Sequence, residues 1–125
     1  MSDNYVKLGQ LLPYKLAVNL SRKSWTIYSE MDWNVRKIIG NQFISAMDSI
    51  GANIAEGYGR FHYRDRIKFY YNARGSYMET KHWLLMMRDR KIISTELFDE
   101  MLELSDNLGK QINIFIKSCY RNIDK

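Results

Sequence analysis

Cysteine and proline are almost absent from this sequence, since each occurs once among 125 residues. The single cysteine, Cys119, excludes an internal disulfide and is typical of a reducing compartment, so we expect a cytoplasmic location. Pro13 disfavours helix at the residue before it and fits the first turn of a helix that begins there. With only seven glycines as well, the chain has little material for flexible linkers. We therefore expect one domain over residues 1–125.

Long apolar runs are also lacking. No stretch of 18 apolar residues occurs, so we expect no membrane span, and the first residues lack the pattern of a secretory signal peptide. Only two histidines are present. Glu79 and His82 have the Glu-x-x-His spacing of half a di-iron site, but the second such pair is missing. The sequence therefore predicts no metal and no cofactor. Because no nucleophile has a readable histidine partner, it also predicts no enzymatic activity.

What the sequence does contain is helical periodicity. Apolar residues recur at intervals of three and four in four segments, and no strand-like alternation competes with them. Asp32 and Ser94 are suitable N-caps for the second and fourth segments. Four helices of this length, joined by short loops, favour an all-α fold, an antiparallel up-down four-helix bundle. The predicted helices cover residues 13–30, 33–58, 64–88 and 95–121.

The stretch SIGANIAEGYGR, residues 49–60, lies at the centre of the pattern. Its helix has one apolar stripe, formed by Ile39, Phe43, Met47, Ile50 and Ile54. A polar stripe runs beside it with the spacing of a packed seam. We expect a buried structural network here rather than a catalytic site, because carboxylates without a metal, nucleophile or histidine do not define a reaction. The network consists of Gln42, Ser49, Asn53, Glu56, Arg74, Ser76 and Glu79.

The geometry of a helical hairpin supplies contacts for this network. Positions equidistant from a turn near Phe61 or His62 face each other, which places Asn53 near Tyr70 and Ser49 near Arg74. A buried carboxylate is costly unless it is paired and hydrogen-bonded.

Two motifs carry a family resemblance. SIGANIAEG followed by Gly-Arg, and ARGSYMETKHWLL from Ala73 to Leu85, resemble bacterial four-helix-bundle proteins encoded in intervening sequences of 23S ribosomal RNA genes. Members of that family typically read A-x5-E-T-x2-W-L in the second motif. The resemblance covers roughly residues 11–93. It implies an up-down bundle that assembles into homopentamers and has no established enzymatic activity.

The net charge of +5 is concentrated in two segments. Residues 59–68 carry four cations against Asp65, and residues 117–125 carry Lys117, Arg121 and Lys125 against Asp124. In an up-down bundle both segments lie at the same end. This end is a candidate nucleic-acid-binding face, with a solvated basic loop as the alternative. Its predicted binding residues are Arg60, Arg64, Arg66, Lys68, Lys117 and Arg121.

Aromatic residues are interleaved with the first basic segment. Tyr58, Phe61 and Tyr63 alternate with arginines, and such a combination can hold phosphates and stack on unpaired bases. No base-reading element is evident, so we expect binding that is largely indifferent to nucleotide sequence.

Three hypotheses follow for the function. The first is a non-enzymatic, oligomeric protein that binds RNA or DNA, and the second is an adaptor or scaffold ring that binds only a protein partner. A hydrolase or nuclease is the weakest. We expect a homo-oligomer, because the second helix carries two apolar stripes, one with Phe43 and Ile50 and another with Val35, Ile38 and Tyr58, which one small bundle cannot cover.

Overall fold

The computed structural model describes residues 7–123, and the secondary structure in that range is helical. A single 3-10 turn, Leu8–Gln10, precedes the first long helix. This helix, α1, spans Leu12–Ser29 and has Pro13 in its first turn, as the sequence predicted. Proline is tolerated there because the first N–H groups of a helix have no intrahelical acceptor.

The second helix, α2, contains a π-helical segment. Its start is capped by Asp32, whose Oδ1 accepts a hydrogen bond from the N–H of Val35 at 2.9 Å, which confirms the predicted N-cap. Gly40 ends the π-helical segment, and a β-carbon there would lie 2.7 Å from Sδ of Met31. The glycine therefore lets α2 approach the end of α1 closely. From its start, α2 consists of Trp33–Val35, the π-helical Arg36–Gly40 and the α-helical Asn41–Tyr58.

The third and fourth helices are longer. Helix α3 spans Tyr63–Asp89 and helix α4 spans Thr95–Ile123. Ser94 caps α4, because its Oγ accepts a hydrogen bond from the N–H of Leu97 at 3.1 Å. The helix ends agree with the predicted ones to within two residues. Repeated apolar spacing is therefore enough to locate the helices of this chain.

The four helices form a closed ring of neighbours. Helix α2 packs on α1 and on α3, α4 packs on α3, and α1 also packs on α4. Because the connecting turns are short, consecutive helices run in opposite directions, which confirms the predicted antiparallel up-down four-helix bundle. None of the helices in the described range combines the length and apolar character that a membrane span requires.

The core lies between the four helices. The predicted apolar stripe of α2, from Ile39 to Ile54, is fully buried. Leu20 of α1, Leu84 of α3 and Leu108 of α4 meet it from the other helices. Burying each such side chain stabilises the fold by about 1.5–3 kcal/mol, so this core is the main source of stability.

Two side chains of α3 make contacts other than the expected ones. Tyr70 was expected near Asn53, but its ring contacts Gly57, four residues further along α2. Side chains on a helix lean towards its N-terminus, so Tyr70 reaches back towards the turn and meets a residue closer to it. Arg74 was expected near Ser49, but it donates a hydrogen bond to Oδ1 of Asn113 on α4 at 3.3 Å.

Candidate nucleic-acid interface

The two basic segments meet at one end of the bundle. The turn of residues 59–62 joins α2 to α3, and the last turn of α4 lies beside it. A groove of about 530 Å³ separates them. We call this region, with the first two turns of α3 and the last two of α4, the basic end. The groove is lined by Phe61, His62, Tyr63, Arg64, Arg66, Asn122 and Ile123.

Two of the predicted binding residues stabilise the turn itself. The Nε–H of Arg66 donates a hydrogen bond to the carbonyl of Arg60 at 2.7 Å, and its guanidinium lies 5.0 Å from the ring centroid of Tyr63. Arg60 forms an ion pair with Glu56 and stacks its guanidinium on Phe69 at 4.7 Å. These contacts fix the shape of the turn and partly neutralise Arg60.

The other four predicted binding residues are exposed. Arg64, Lys68, Lys117 and Arg121 form no ion pair or hydrogen bond with any residue between positions 7 and 123. Lys125 and Asp124, which the charge count included, lie outside the described residues. The charge of an unpaired cation is not neutralised by a neighbouring carboxylate. These four side chains therefore contribute most of the positive electrostatic potential at the basic end.

The three interleaved aromatics differ in exposure. Phe61 is 85% exposed, and its ring meets the His62 ring edge-on with a centroid distance of 5.0 Å. Tyr63 is 38% exposed and lies against the guanidinium of Arg66, while Tyr58 is half-buried. Phe61 is therefore the side chain best placed to stack on a ligand.

Burial also affects two ionisable groups beneath the basic end. Desolvation raises the pKa of Tyr70 to about 12, opposed in part by the positive charge of Arg66. Desolvation also raises the pKa of the Cys119 thiol, against the same opposing charge. Cys119 lies in the hydrophobic core. Its thiol is protonated at neutral pH and is a poor nucleophile.

The expected buried polar network is not buried within this chain. Gln42, Glu56, Arg74 and Glu79 are exposed, and Ser49, Asn53 and Ser76 are half-buried. Asn53 donates to the carbonyl of Ser49 at 2.9 Å, and Ser49 donates to that of Ser45 at 2.8 Å. These bonds stay within α2, so the polar stripe does not link the helices as we expected.

Four residues of the predicted polar network do lie close to one another. A shallow groove of about 430 Å³ between α2 and α3 brings Ser49 and Asn53 close to Ser76 and Glu79. The periodicity therefore predicted which side chains share a surface. Within the single chain they are half-buried or exposed, and short polar side chains next to water are satisfied by their own helix and by solvent.

A polar cluster between α3 and α4 was not predicted. The hydroxyl of Tyr77 donates to Asp106 at 2.5 Å, and Nζ of Lys81 lies 3.0 Å from the same carboxylate. The Tyr77 ring occupies the space over Gly109, where a β-carbon would lie 2.5 Å from Cζ. Burial acts to raise the pKa of Asp106, but the hydrogen bonds from Tyr77 and Lys81 outweigh it and lower that pKa. The cluster therefore links α3 to α4 through a hydrogen bond and an ion pair. In the sequence, the isolated glycine at position 109, in the middle of a periodic helix, is the feature that could have predicted this close contact.

The histidines lie far apart. His62 precedes α3 and His82 lies twenty residues along the chain, which corresponds to about 30 Å of helix. Among residues 7–123, no group of three or more His, Cys, Asp or Glu side chains is placed to hold a metal ion.

Comparisons with known proteins agree with this architecture. The model of the family described as 23S rRNA-intervening sequence protein matches residues 9–114. A crystal structure from Bacteroides thetaiotaomicron VPI-5482, of a protein with unknown function from the S23 ribosomal protein family, is similar with a TM-score of 0.77. The sequences are 20% identical over 85% of this chain and 99% of that one, which supports the fold alone. No curated protein matches the chain.

Proposed function

The chain belongs to the 23S rRNA-intervening sequence protein family, and from this premise and its surface charge we propose that it binds RNA through the basic end. The observation that carries the proposal is the set of four exposed cations without an acidic partner in the described range. They come from two helices that meet at one end of the bundle. Phosphate groups spaced along a nucleic-acid backbone are the ligand that such a set suits.

Binding of this kind is directed at the backbone. Arg64 and Lys68 lie on the first turns of α3, and Lys117 and Arg121 lie on the last turns of α4. Long flexible side chains at helix ends contact phosphates of any sequence, and we therefore expect little preference among nucleotides. DNA of equal length is a necessary comparison, because phosphate contacts alone do not separate it from RNA.

Self-association is the second part of the proposal. Several large apolar side chains are exposed in the single chain, notably Trp25, Trp33 and Ile38. If copies assemble with their axes parallel, each adds its basic end to one face. The combined field of several subunits attracts a polyanion more strongly than one subunit does.

The proposed role is binding rather than catalysis. Glu79 and His82, the one Glu-x-x-His pair, are both exposed. The distance between His82 and His62 prevents them from acting on one substrate atom in the same chain. We therefore assign the basic end to recognition and assign no reaction to it.

A salt series tests the proposal. Wild-type protein is titrated with radiolabelled RNA and DNA in filter-binding assays from about 50 to 200 mM salt, where phosphate contacts lose most affinity. The test variant changes Arg64, Lys68 and Arg121 to alanine, which leaves the turn-stabilising arginines in place. Losing three phosphate contacts should flatten the slope of log K against log salt by about 2 for a single strand.

The matched control removes three exposed positive charges elsewhere. Lys37, Arg90 and Lys110 lie outside the basic end and are changed to alanine together. We expect this variant to keep the wild-type slope. Absent binding at the lowest salt, or equal losses in both variants, would contradict RNA binding and favour an adaptor that binds only a protein.

A further inference from the structure

Phe61 combines high exposure with an unusual position. A single exposed apolar side chain is ordinary on a protein surface. Phe61, however, is the most exposed large hydrophobic residue of the described range, and it lies in the turn that bears the basic groove. Its ring meets the His62 ring at an interplanar angle of 88°, and 85% of the side chain stays exposed. One face of a phenyl ring is therefore presented to solvent beside a set of cations.

The groove next to Phe61 also contains two guanidinium groups that suit a phosphate. Its volume of about 530 Å³ falls in the range of small-molecule sites, and Arg64 and Arg66 line it. Arg64 has no acidic partner between positions 7 and 123. Arg66 is held in place by its Nε–H bond to the Arg60 carbonyl and by the Tyr63 ring. One guanidinium is thus positioned by the fold and the other is free to reach a ligand.

We propose that this groove binds one unpaired nucleotide, with the base stacked on Phe61 and the adjoining phosphate held by Arg64 and Arg66. The inference rests on the proposed RNA binding and adds a preference for single-stranded over double-stranded RNA. In a duplex each base is stacked on its neighbours, so its face is not available to a phenyl ring. An unpaired base offers that face, and stacking on an aromatic side chain tolerates every base.

The test compares three probes with equal numbers of phosphates: single-stranded oligouridylate, an RNA duplex and a single strand of abasic nucleotides. Wild-type protein should bind oligouridylate most tightly. Phe61→Ala should weaken that binding by roughly 5- to 140-fold and leave duplex affinity unchanged. Phe61→Tyr keeps the ring and should retain the preference. Met78→Ala, which removes another exposed apolar side chain from α3 but away from the basic end, should bind every probe as wild type does.

The outcomes separate this inference from the proposed function. If wild-type protein binds all three probes equally and Phe61→Ala changes nothing, the nucleotide groove is contradicted while RNA binding stands. Equal loss of duplex and single-strand affinity in Phe61→Ala would also contradict it, because the ring would then act on the shape of the turn. If no probe binds at the lowest salt, the proposed function itself fails.

Discussion

A β-carbon placed on Gly57 would lie 2.7 Å from Cε1 of Tyr70 and 3.1 Å from Cβ of Phe69. The Tyr70 ring, only 3% exposed, therefore fills the volume that a side chain at position 57 would need. This close contact joins α2 to α3 immediately before the turn that carries Phe61. The glycine is required by packing, and its φ angle is not in the left-handed region.

Gly57→Ala should therefore destabilise the protein, although alanine is the better helix former by about 1 kcal/mol. Overpacking a filled core costs about 1–3 kcal/mol, and the buried ring of Tyr70 has little room to move. Gly75→Ala is the matched control, because nothing lies within 4 Å of a β-carbon at that position of α3. It should stabilise by up to about 1 kcal/mol. Urea unfolding monitored by circular dichroism measures both, and a stabilised Gly57→Ala would show that Tyr70 moves aside.

Tyr70 should make the protein sensitive to alkali. Burial favours its neutral form and raises its pKa to about 12 in the native state, compared with about 10 in the unfolded chain. The unfolded state therefore binds fewer protons than the native state between these values, and stability falls as pH rises through that interval. The loss is roughly 1.4 kcal/mol for each pH unit above 10.

Tyr70→Phe keeps the ring and removes the titrating hydroxyl. Its free energy of unfolding should fall less between pH 9 and 11 than that of wild type. Gly75→Ala, which changes the same helix and removes no ionisable group, is the control and should keep the pH dependence of wild type. Parallel curves for wild type and Tyr70→Phe would mean that the Tyr70 hydroxyl reaches water.

The helices were predictable because core positions repeat along each of them. Every helix has apolar residues at intervals of three and four, and this pattern located all four to within two residues. The packing between helices was less predictable. Leu104 and Phe115 of α4 recur at helical spacing but are only half-buried, whereas Ser105 is fully buried. Gly109 is buried as well, under Tyr77. Where a small residue faces a tyrosine on another helix, periodicity in one sequence segment does not reveal the partner.

The candidate site was partly predictable for the same reason. Topology alone placed the two basic segments at one end, and the structure brings Arg64 beside Asn122 in one groove. The sequence could not show that Arg60 and Arg66 form contacts that stabilise the turn, since these depend on the positions of side chains across a few residues. Nor could it show that the polar stripe of α2 is only half-buried or exposed in the single chain, because the same spacing occurs in a buried seam.

Glu56→Ala should change stability by less than about 0.5 kcal/mol. A loss of about 3–5 kcal/mol would apply if Glu56 were a buried charge that lost its partner. Glu56 is exposed, however, and its pair with Arg60 is an i,i+4 pair on the helix surface. Such pairs contribute about 0.3–0.5 kcal/mol, and alanine favours helix slightly more than glutamate does. Thermal unfolding at neutral pH, with Glu56→Gln alongside, measures this. A loss above about 3 kcal/mol would mean that another copy buries Glu56.

Self-association should depend on the outer face of α1 and α2. Trp25 is 59% exposed and borders a groove of about 500 Å³ whose floor contains Gly51, Ala52 and Ala55. Small residues let a second backbone come close, and an exposed tryptophan beside them is an apolar anchor of the type found at interface centres. We expect a second copy of this chain to cover the groove, with further copies added until a ring closes.

Light scattering at micromolar concentration tests this expectation. Wild-type protein should have the mass of several chains, and Trp25→Ser should reduce that mass, because a serine removes the anchor without altering the buried core. Phe61→Ser is the matched control. It also replaces an exposed aromatic with serine, but at the basic end, and it should leave the mass unchanged. A wild-type mass of 14.9 kDa at micromolar concentration would contradict self-association. An unchanged assembly in Trp25→Ser would place the interface on another face.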